Sequence, residues 1–176
     1  MNIDNTKILN RLKELSNGCE LPPLLISVSG GIDSMVMLDL FLKIKNQFNF
    51  NIFVSHINYQ IHEKAFYAEK MVIEFCNKNM IPFKITRINL NINSNIEANA
   101  RDFRYKIFNN LVKKNKIKYI CTAHHWDDQL ETLYMKNVQN APLTSFRGIL
   151  EHNKNIWRPF LEYQKLDILK YAKENK

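Results

Sequence analysis

The sequence is poor in cysteine and glycine and has no long uninterrupted hydrophobic run. Its three cysteines, Cys19, Cys76 and Cys121, lie far apart and form no C-x-x-C pair, which excludes a disulfide framework and a zinc knuckle. The most apolar stretch, 21–42, is interrupted by prolines and aspartates, which are costly in a bilayer. The first 18 residues lack the apolar block of a signal peptide. We therefore expect no membrane contact and a cytoplasmic protein with reduced thiols.

The composition is that of one globular domain. The chain has 176 residues, of which 45% are hydrophobic, enough for one sizeable core. Lys and Arg outnumber Asp and Glu by 25 to 17, a formal net charge of +8. Such a charge suits a polyanion such as nucleic acid, and it equally suits a lysine-rich solvated surface. Charge alone does not choose between the two.

Short apolar runs alternate with longer amphipathic stretches along the chain. The spacing predicts strands near 24–29, 52–57, 83–89 and 119–123. It predicts helices from Asp4 to Gly18 and over 33–47, 63–79, 127–138 and 163–173. A further helix is expected after a capping box at Ser94, with an apolar stripe that includes Phe103. This βα alternation predicts an α/β fold with a parallel twisted sheet and helices on both faces.

Polar clusters follow three of the predicted strands. Ser29 to Gly31 follow the first strand, His56 ends the second, and His124 with His125 follow the fourth. Ligands of parallel α/β sheets bind beyond the carboxyl ends of the strands. We therefore expect these residues to share one site.

The segment between the first strand and its helix is suited to binding phosphate. Two adjacent glycines permit a tight turn and close approach of a ligand, and the following helix presents its positive end to the same place. A carboxylate would repel a bare phosphate, so Asp33 indicates a magnesium ion carried by a nucleotide. The lysine of the G-x-x-x-x-G-K-[ST] loop is absent, which excludes an ordinary P-loop. The alternative is a plain turn in which Asp33 or Ser34 caps the helix. The segment comprises Ser29, Gly30, Gly31, Ile32, Asp33 and Ser34.

A second cluster places three carboxylates beside two imidazoles. Asp127, Asp128 and Glu131 lie within about one helical turn after His124 and His125. Such a cluster can bind a metal, neutralise an ammonium group or cap the helix. We favour an anionic pocket for an amine, because the phosphate loop already accounts for a nucleotide.

These motifs resemble those of a known family. The S-G-G-I-D-S segment at 29–34 resembles the signature of the ATP pyrophosphatases, or PP-loop enzymes. The T-A-H-H-W-D-D-Q-L-E-T run at 122–132 is similar to that of tRNA(Ile)-lysidine synthetases, as are the E-x-x-A-R-x-x-R-Y pattern at 97–105 and Arg158-Pro159. The resemblance implies a Rossmann-like PP-loop domain of the adenine nucleotide alpha hydrolase type over residues 1–176. The family's C-terminal tRNA-recognition region is expected to be absent.

The resemblance also implies an activity and a role for each motif residue. The activity is that of a ligase: ATP adenylates the C2 oxygen of the wobble cytidine of tRNA(Ile) with a CAU anticodon, and L-lysine then displaces AMP to give lysidine. Residues 29–34 and His56 would bind ATP, and Asp33 would meet Mg2+. His124 and Arg101 would stabilise charge, with Arg104 as a second candidate. Asp128 and Glu131 would hold the lysine ammonium group, and Asp127 would assist or cap the helix.

Several alternatives remain open. His56 could be a buried histidine at a strand end, and Arg101 could form a helix ion pair with Glu97. The family's H-x-N-H motif here ends in Tyr59. The runner-up activity is tRNA 2-thiolation, which often uses paired cysteines. A non-catalytic nucleotide- or tRNA-binding remnant is the third hypothesis, and a homodimer is compatible with the sequence.

Overall fold

In the computed structural model, the described residues are 3–17, 20–60, 63–89, 96–142, 144 and 146–175. The strands are β1 (Leu24–Ser27), β2 (Ile52–Asn58), β3 (Phe83–Arg87), β4 (Tyr119–Cys121), β5 (His152–Asn153) and β6 (Ile156–Trp157). The helices are α1 (Asn5–Leu15), α2 (Ile32–Gln47), α3 (Lys64–Lys78), α4 (Ile96–Asn115), α5 (Trp126–Val138) and α6 (Lys165–Glu174).

One sheet connects all six of these strands. Its order is β3-β2-β1-β4-β6-β5, and every neighbouring pair is parallel except β5 with β6. The chain runs outward from β1 to β3 on one side and continues from β4 on the other. The order of strands thus reverses between β1 and β4, and in such sheets ligands bind at this reversal, beyond the carboxyl ends of the two strands.

Both faces of the central strands are buried. Leu24 and Ile26 of β1 belong to the larger core, whereas Leu25 between them belongs to a smaller core on the other face. Residues of α1, α2, α3 and α6 enter the larger core, and Phe108 of α4 enters the smaller one. This explains why the strand sequences are continuous apolar runs. The predicted α/β fold, a parallel sheet with helices on both faces, is confirmed.

The details differ from the sequence expectations in three places. The hairpin of β5 and β6 was not predicted, because its strands are two residues long and carry no readable periodicity. Strands β1, β3 and β4 end two residues earlier than expected. Phe103 of the α4 stripe is 45% exposed, and Phe108 is the buried aromatic residue instead. The expected helix signals at Gly18 and Ser94 lie outside the described residues.

Candidate functional site

The loop after β1 is held by its two serines. The Ser29 backbone N–H donates to Ser34 Oγ at 3.1 Å, and Ser34 Oγ donates to the Gly31 carbonyl at 2.8 Å. Gly30 has a φ of +83°, and a Cβ atom there would lie 2.6 Å from Ala68 Cβ of α3. The first-turn N–H groups of a helix have no acceptor within the helix. The loop therefore presents the start of α2, with Asp33 in its first turn, to whatever lies beyond β1.

A second helix begins at the neighbouring strand end. His125 is the N-cap of α5, and its backbone N–H donates to Asp128 Oδ2 at 2.8 Å. The helix-capping role that the sequence offered to Asp127 thus falls to Asp128. The imidazole of His125 is buried among three carboxylates. Its Nδ1 lies 3.5 Å from Asp127 Oδ2 and 3.7 Å from Asp128 Oδ2, and its Nε2 lies 4.0 Å from Asp33 Oδ2.

Between these two helix starts lies a cavity of about 260 Å³. It opens at the carboxyl ends of β1 and β4, the position expected from the strand order. Its wall combines hydroxyl, carboxylate, imidazole and guanidinium groups. The lining residues are Ser27, Val28, Ser29, Asp33, Ser34, Ile57, Tyr59, Arg104, Thr122, Ala123, His124, His125 and Asp128.

A larger cavity of about 700 Å³ adjoins the first and shares Arg104, Thr122, His124 and Asp128 with it. Several basic side chains and two carboxylates line this second cavity. The remaining lining residues are Arg101, Tyr105, Phe108, Glu131, Thr132, Met135, Lys136, Arg147, Gly148, Ile149, Leu150, Asn153 and Arg158. The two cavities thus meet at one imidazole, one carboxylate and one guanidinium group.

His124 stands at this junction in an environment that disfavours its protonated form. Its Nδ1 lies 2.9 Å from Thr122 Oγ1. Burial, followed by the positive charge of Arg158, lowers the pKa of the His124 imidazole below its usual value. Desolvation and nearby cations both penalise imidazolium. The ring is therefore held as a neutral imidazole at neutral pH.

The predicted site residues fall into four groups. Ser29, Asp33 and Ser34 line the first cavity, and Arg101 and Glu131 line the second. His124 and Asp128 line both. Gly30, Gly31, Ile32, His56 and Asp127 line neither.

His56 lies behind the loop instead of on the cavity wall. Only 2% of the residue is exposed, and its Nδ1 lies 2.8 Å from the Val28 carbonyl oxygen. Its Nε2 is buried without a hydrogen-bond partner. His56 therefore contacts the strand that carries the loop, as a buried histidine at a strand end does.

The sequence motifs assigned no role to four residues at the site. Lys165 places its Nζ 2.5 Å from Asp33 Oδ1, across 132 positions of sequence. Tyr59 accepts a hydrogen bond from Arg104 Nε at 3.2 Å. Arg158 is 7% exposed and donates to the Leu150 carbonyl. Two of these residues could have been found from the sequence, because Arg158 belongs to the Arg158-Pro159 pair and His125 to the paired histidines. No sequence pattern marks Lys165 as a site residue.

The described residues also bear on metal binding. No group of three or more His, Cys, Asp or Glu side chains among them could hold a metal ion. Magnesium is commonly held by one or two protein carboxylates together with water and substrate phosphates. The Asp33 carboxylate lines the first cavity beside two serine hydroxyls, and this oxygen set fits a magnesium ion carried by a nucleotide. No helix in the described part of the chain is both long and apolar enough to cross a membrane.

The fold is a parallel α/β domain with a loop that contains two glycines and a cavity at the reversal of its strand order. Residues 4–176 match the PP-loop domain family, and the chain belongs to that family. Among curated proteins, a tRNA(Ile)-lysidine synthase of Pseudothermotoga lettingae is 31% identical over 156 residues, 86% of this chain and 35% of the relative. Another, from Buchnera aphidicola subsp. Schizaphis graminum, is 34% identical over 169 residues, 93% of this chain and 38% of the relative. The chain thus spans little more than a third of these relatives' length.

A solved structure has the same fold. The U34-tRNA thiolase NcsA of Methanococcus maripaludis, with its 4Fe-4S cluster, superimposes with a TM-score of 0.75. The match covers 96% of this chain and 62% of the thiolase, at 21% sequence identity. At that identity the likeness concerns the fold alone.

Proposed function

We propose that this domain uses ATP and Mg2+ to adenylate the C2 oxygen of the wobble cytidine in tRNA(Ile) with a CAU anticodon, with release of pyrophosphate. L-Lysine then attacks through its ε-amine, AMP leaves, and lysidine is formed. The observation that carries the proposal is the junction of the two cavities at His124 and Asp128. The names of the relatives, tRNA(Ile)-lysidine synthases, support the choice of substrate.

In this proposal, the first cavity binds the nucleotide. Ser29, Ser34 and the start of α2 supply hydroxyl groups and a positive helix end for phosphate oxygens. The Asp33 carboxylate would hold the magnesium ion, which neutralises phosphate charge when bound. The residues of this cavity then orient the α-phosphate toward the junction with the second cavity.

In this proposal, the second cavity binds the tRNA and the lysine substrate. Arg101, Arg104 and Arg158 give its wall the charge that attracts a polynucleotide backbone and a developing phosphate charge. Asp128 and Glu131 line the same cavity and can pair with an ammonium group. A lysine amine attacks only after it loses a proton, and a carboxylate that orients the amine is also placed to accept that proton.

His124 sits where the reacting groups would meet. Because its Nδ1 is engaged with Thr122, Nε2 is the ring nitrogen that can contact a reactant. A neutral imidazole can donate an N–H to a phosphate oxygen as negative charge grows there. The lowered pKa of His124 favours that neutral form.

The test is incorporation of labelled lysine into a tRNA(Ile) transcript with a wobble cytidine, in the presence of ATP and Mg2+. We expect incorporation by the wild-type chain and its loss in Asp33→Asn. The matched control is Asp102→Asn, which makes the same carboxylate-to-carboxamide substitution at an exposed position of α4 and should retain activity. ATP binding without incorporation by the wild-type chain would contradict lysidine formation and favour a non-catalytic nucleotide-binding domain.

The competing activity is tRNA 2-thiolation; the tRNA thiolase with this fold is 21% identical, so the likeness does not choose between the two activities. Its usual sulfur carriers are reactive thiols. Burial raises the pKa of the Cys76 thiol to about 11 and raises that of Cys121 further, so neither forms a thiolate readily. Both are buried, unpaired and absent from the walls of the two cavities. Transfer of labelled sulfur to the tRNA, with no transfer of lysine, would replace our proposal with thiolation.

A further inference from the structure

The Lys165 ammonium group pairs with the Asp33 carboxylate, which the proposed function assigns to magnesium. Its Nζ lies 2.5 Å from Asp33 Oδ1. The Lys165 side chain is 35% exposed and the Asp33 side chain is 25% exposed. Asp33 lines the first cavity, so the ammonium group lies within one hydrogen bond of the cavity wall. A magnesium ion and this ammonium group would therefore compete for the same carboxylate.

The position of Lys165 is fixed by its backbone. It is the first residue of α6, and its backbone N–H donates to Asp127 Oδ2 at 2.8 Å. Just before it, the Tyr163 carbonyl accepts a hydrogen bond from the Trp126 N–H at 2.8 Å. These contacts attach the start of α6 to the start of α5. Lys165 is thus directed at the loop by the fold.

The positive ends of three helices are brought together here. Asp33 is in the first turn of α2, His125 is the N-cap of α5, and Lys165 begins α6. Helix N-termini favour anions, and a charged ammonium group adds to their effect. If Asp33 held the magnesium ion of an arriving nucleotide, the Lys165 ammonium group would lose its carboxylate partner beside the phosphates of that nucleotide. A phosphate oxygen is the natural replacement partner.

We propose that Lys165 is a pyrophosphate-binding residue that exchanges Asp33 for the β- and γ-phosphates of a magnesium-bound ATP. The inference rests on the proposed use of ATP and adds one residue to it. The ammonium group would balance the charge that leaves with pyrophosphate when the α-phosphate is transferred. No covalent step involves Lys165.

A purely structural ion pair is the competing explanation. In that case Lys165 would only hold α6 against α2. That packing already has its own polar contacts, because Tyr171 donates to Asp39 Oδ2 at 3.0 Å and Lys43 donates to Tyr171. The two explanations differ in one measurable respect: only a phosphate-binding lysine affects pyrophosphate without affecting AMP.

The experiment measures binding of inorganic pyrophosphate with Mg2+, of AMP and of α,β-methylene-ATP by calorimetry. The variants are Lys165→Met, Lys165→Arg and the control Lys173→Met, an exposed lysine on the same helix. We expect Lys165→Met to weaken pyrophosphate binding about tenfold to hundredfold, the size of one charge-assisted hydrogen bond. AMP binding should stay within about twofold, since it lacks the phosphates concerned. Lys165→Arg should restore most of the loss, and Lys173→Met should match wild type.

Equal pyrophosphate affinity in Lys165→Met and wild type would overturn the inference. So would a parallel loss of AMP and pyrophosphate binding, because that pattern indicates a disturbed fold. Failure of the wild-type chain to bind α,β-methylene-ATP is a different result: it would contradict the proposed use of ATP itself. The thermal unfolding midpoint of each variant, measured beside the binding, identifies any that fail to fold.

Discussion

Gly30 lies so close to Ala68 that a Cβ atom at position 30 would be 2.6 Å from the alanine Cβ. Its φ of +83° is in the left-handed region, which favours glycine. The loop that begins the site is therefore fitted against α3 as well as against its own serines.

We predict that Gly30→Ala destabilises the domain by about 1–3 kcal/mol, from backbone strain and the clash together. Gly31→Ala, at a φ of −75° with only Ser29 Oγ nearby, should change stability by less than about 1 kcal/mol. Urea unfolding measures both. Equal stability of Gly30→Ala and wild type would contradict the reasoning.

A second prediction concerns the charge around His124. Replacing Arg158 with methionine should raise the pKa of His124 toward its ordinary 6.5, since a cation that opposes imidazolium is removed. Titration of the imidazole protons by NMR gives the value. Arg147→Met, an exposed arginine of the same cavity, is the control and should leave the titration unchanged.

The same lowered pKa predicts a pH effect on stability. The unfolded chain binds the His124 proton more readily than the folded chain does. The folded state should therefore lose stability as the pH falls below about 6.5, and Arg158→Met should reduce that slope. A slope unchanged by the substitution would contradict the assignment to His124.

Glu69 is a second group with a lowered pKa. It is 2% exposed and accepts hydrogen bonds from Arg87 at 2.6 Å and from Asn58 at 2.8 Å. The Arg87 hydrogen bond lowers the pKa of the Glu69 carboxyl below its ordinary 4.5. This stabilisation is complete above pH 4.5 and is lost as the pH falls through the lower folded value.

Unfolding measured against pH tests this contribution. In Glu69→Gln, the acid loss of stability should be smaller than in wild type, because the titrating group is gone. Glu74→Gln, an exposed change on the same helix, should keep the wild-type profile. If the free energy of unfolding depended on pH in the same way in Glu69→Gln and wild type, the loss of stability in acid would have to come from groups other than Glu69.

Tyr59 has a testable role in positioning Arg104. Its hydroxyl accepts from Arg104 Nε and donates to the Ala100 carbonyl at 3.3 Å. Tyr59→Phe removes both bonds, and we expect KM for tRNA to rise up to about tenfold with a smaller change in kcat. Tyr67→Phe, which removes an exposed hydroxyl, is the control. A loss confined to kcat would argue against a positioning role.

Substitution of the two proposed lysine-binding carboxylates should affect lysine binding in both cases but stability in only one. Glu131→Gln should raise KM for lysine about tenfold or more, through loss of one charged partner, with little change in stability. Asp128→Asn should raise KM and also lower stability by about 1 kcal/mol, because Asp128 caps α5 through His125. Lysine titrations of the incorporation assay and urea unfolding measure the two effects. Unchanged KM in both variants would remove these residues from the lysine site.

Local patterns in the sequence predicted most elements of the fold. The apolar runs at β1 and β4 indicated strands buried on both faces, and the Asp4 N-cap of α1 is present, with its side chain accepting from the Thr6 N–H. Strands β5 and β6 were missed because two residues do not establish a period. The exposure of Phe103 was not predicted, because an apolar stripe indicates a helix face but not which neighbour covers it.

Spacing along the chain determined which residues begin α2 and α5, because a strand, a tight turn and a helix start are all local events. Ser29 to Ser34 and His124 to Glu131 could therefore be predicted from sequence to form a phosphate loop and a carboxylate cluster. Tertiary structure alone decided that Lys165 reaches Asp33 and that His56 lies behind the loop. Those relationships depend on the lateral order of strands and the packing of α6 against α2. Long-range contacts of this kind leave no periodicity or fixed spacing in the sequence.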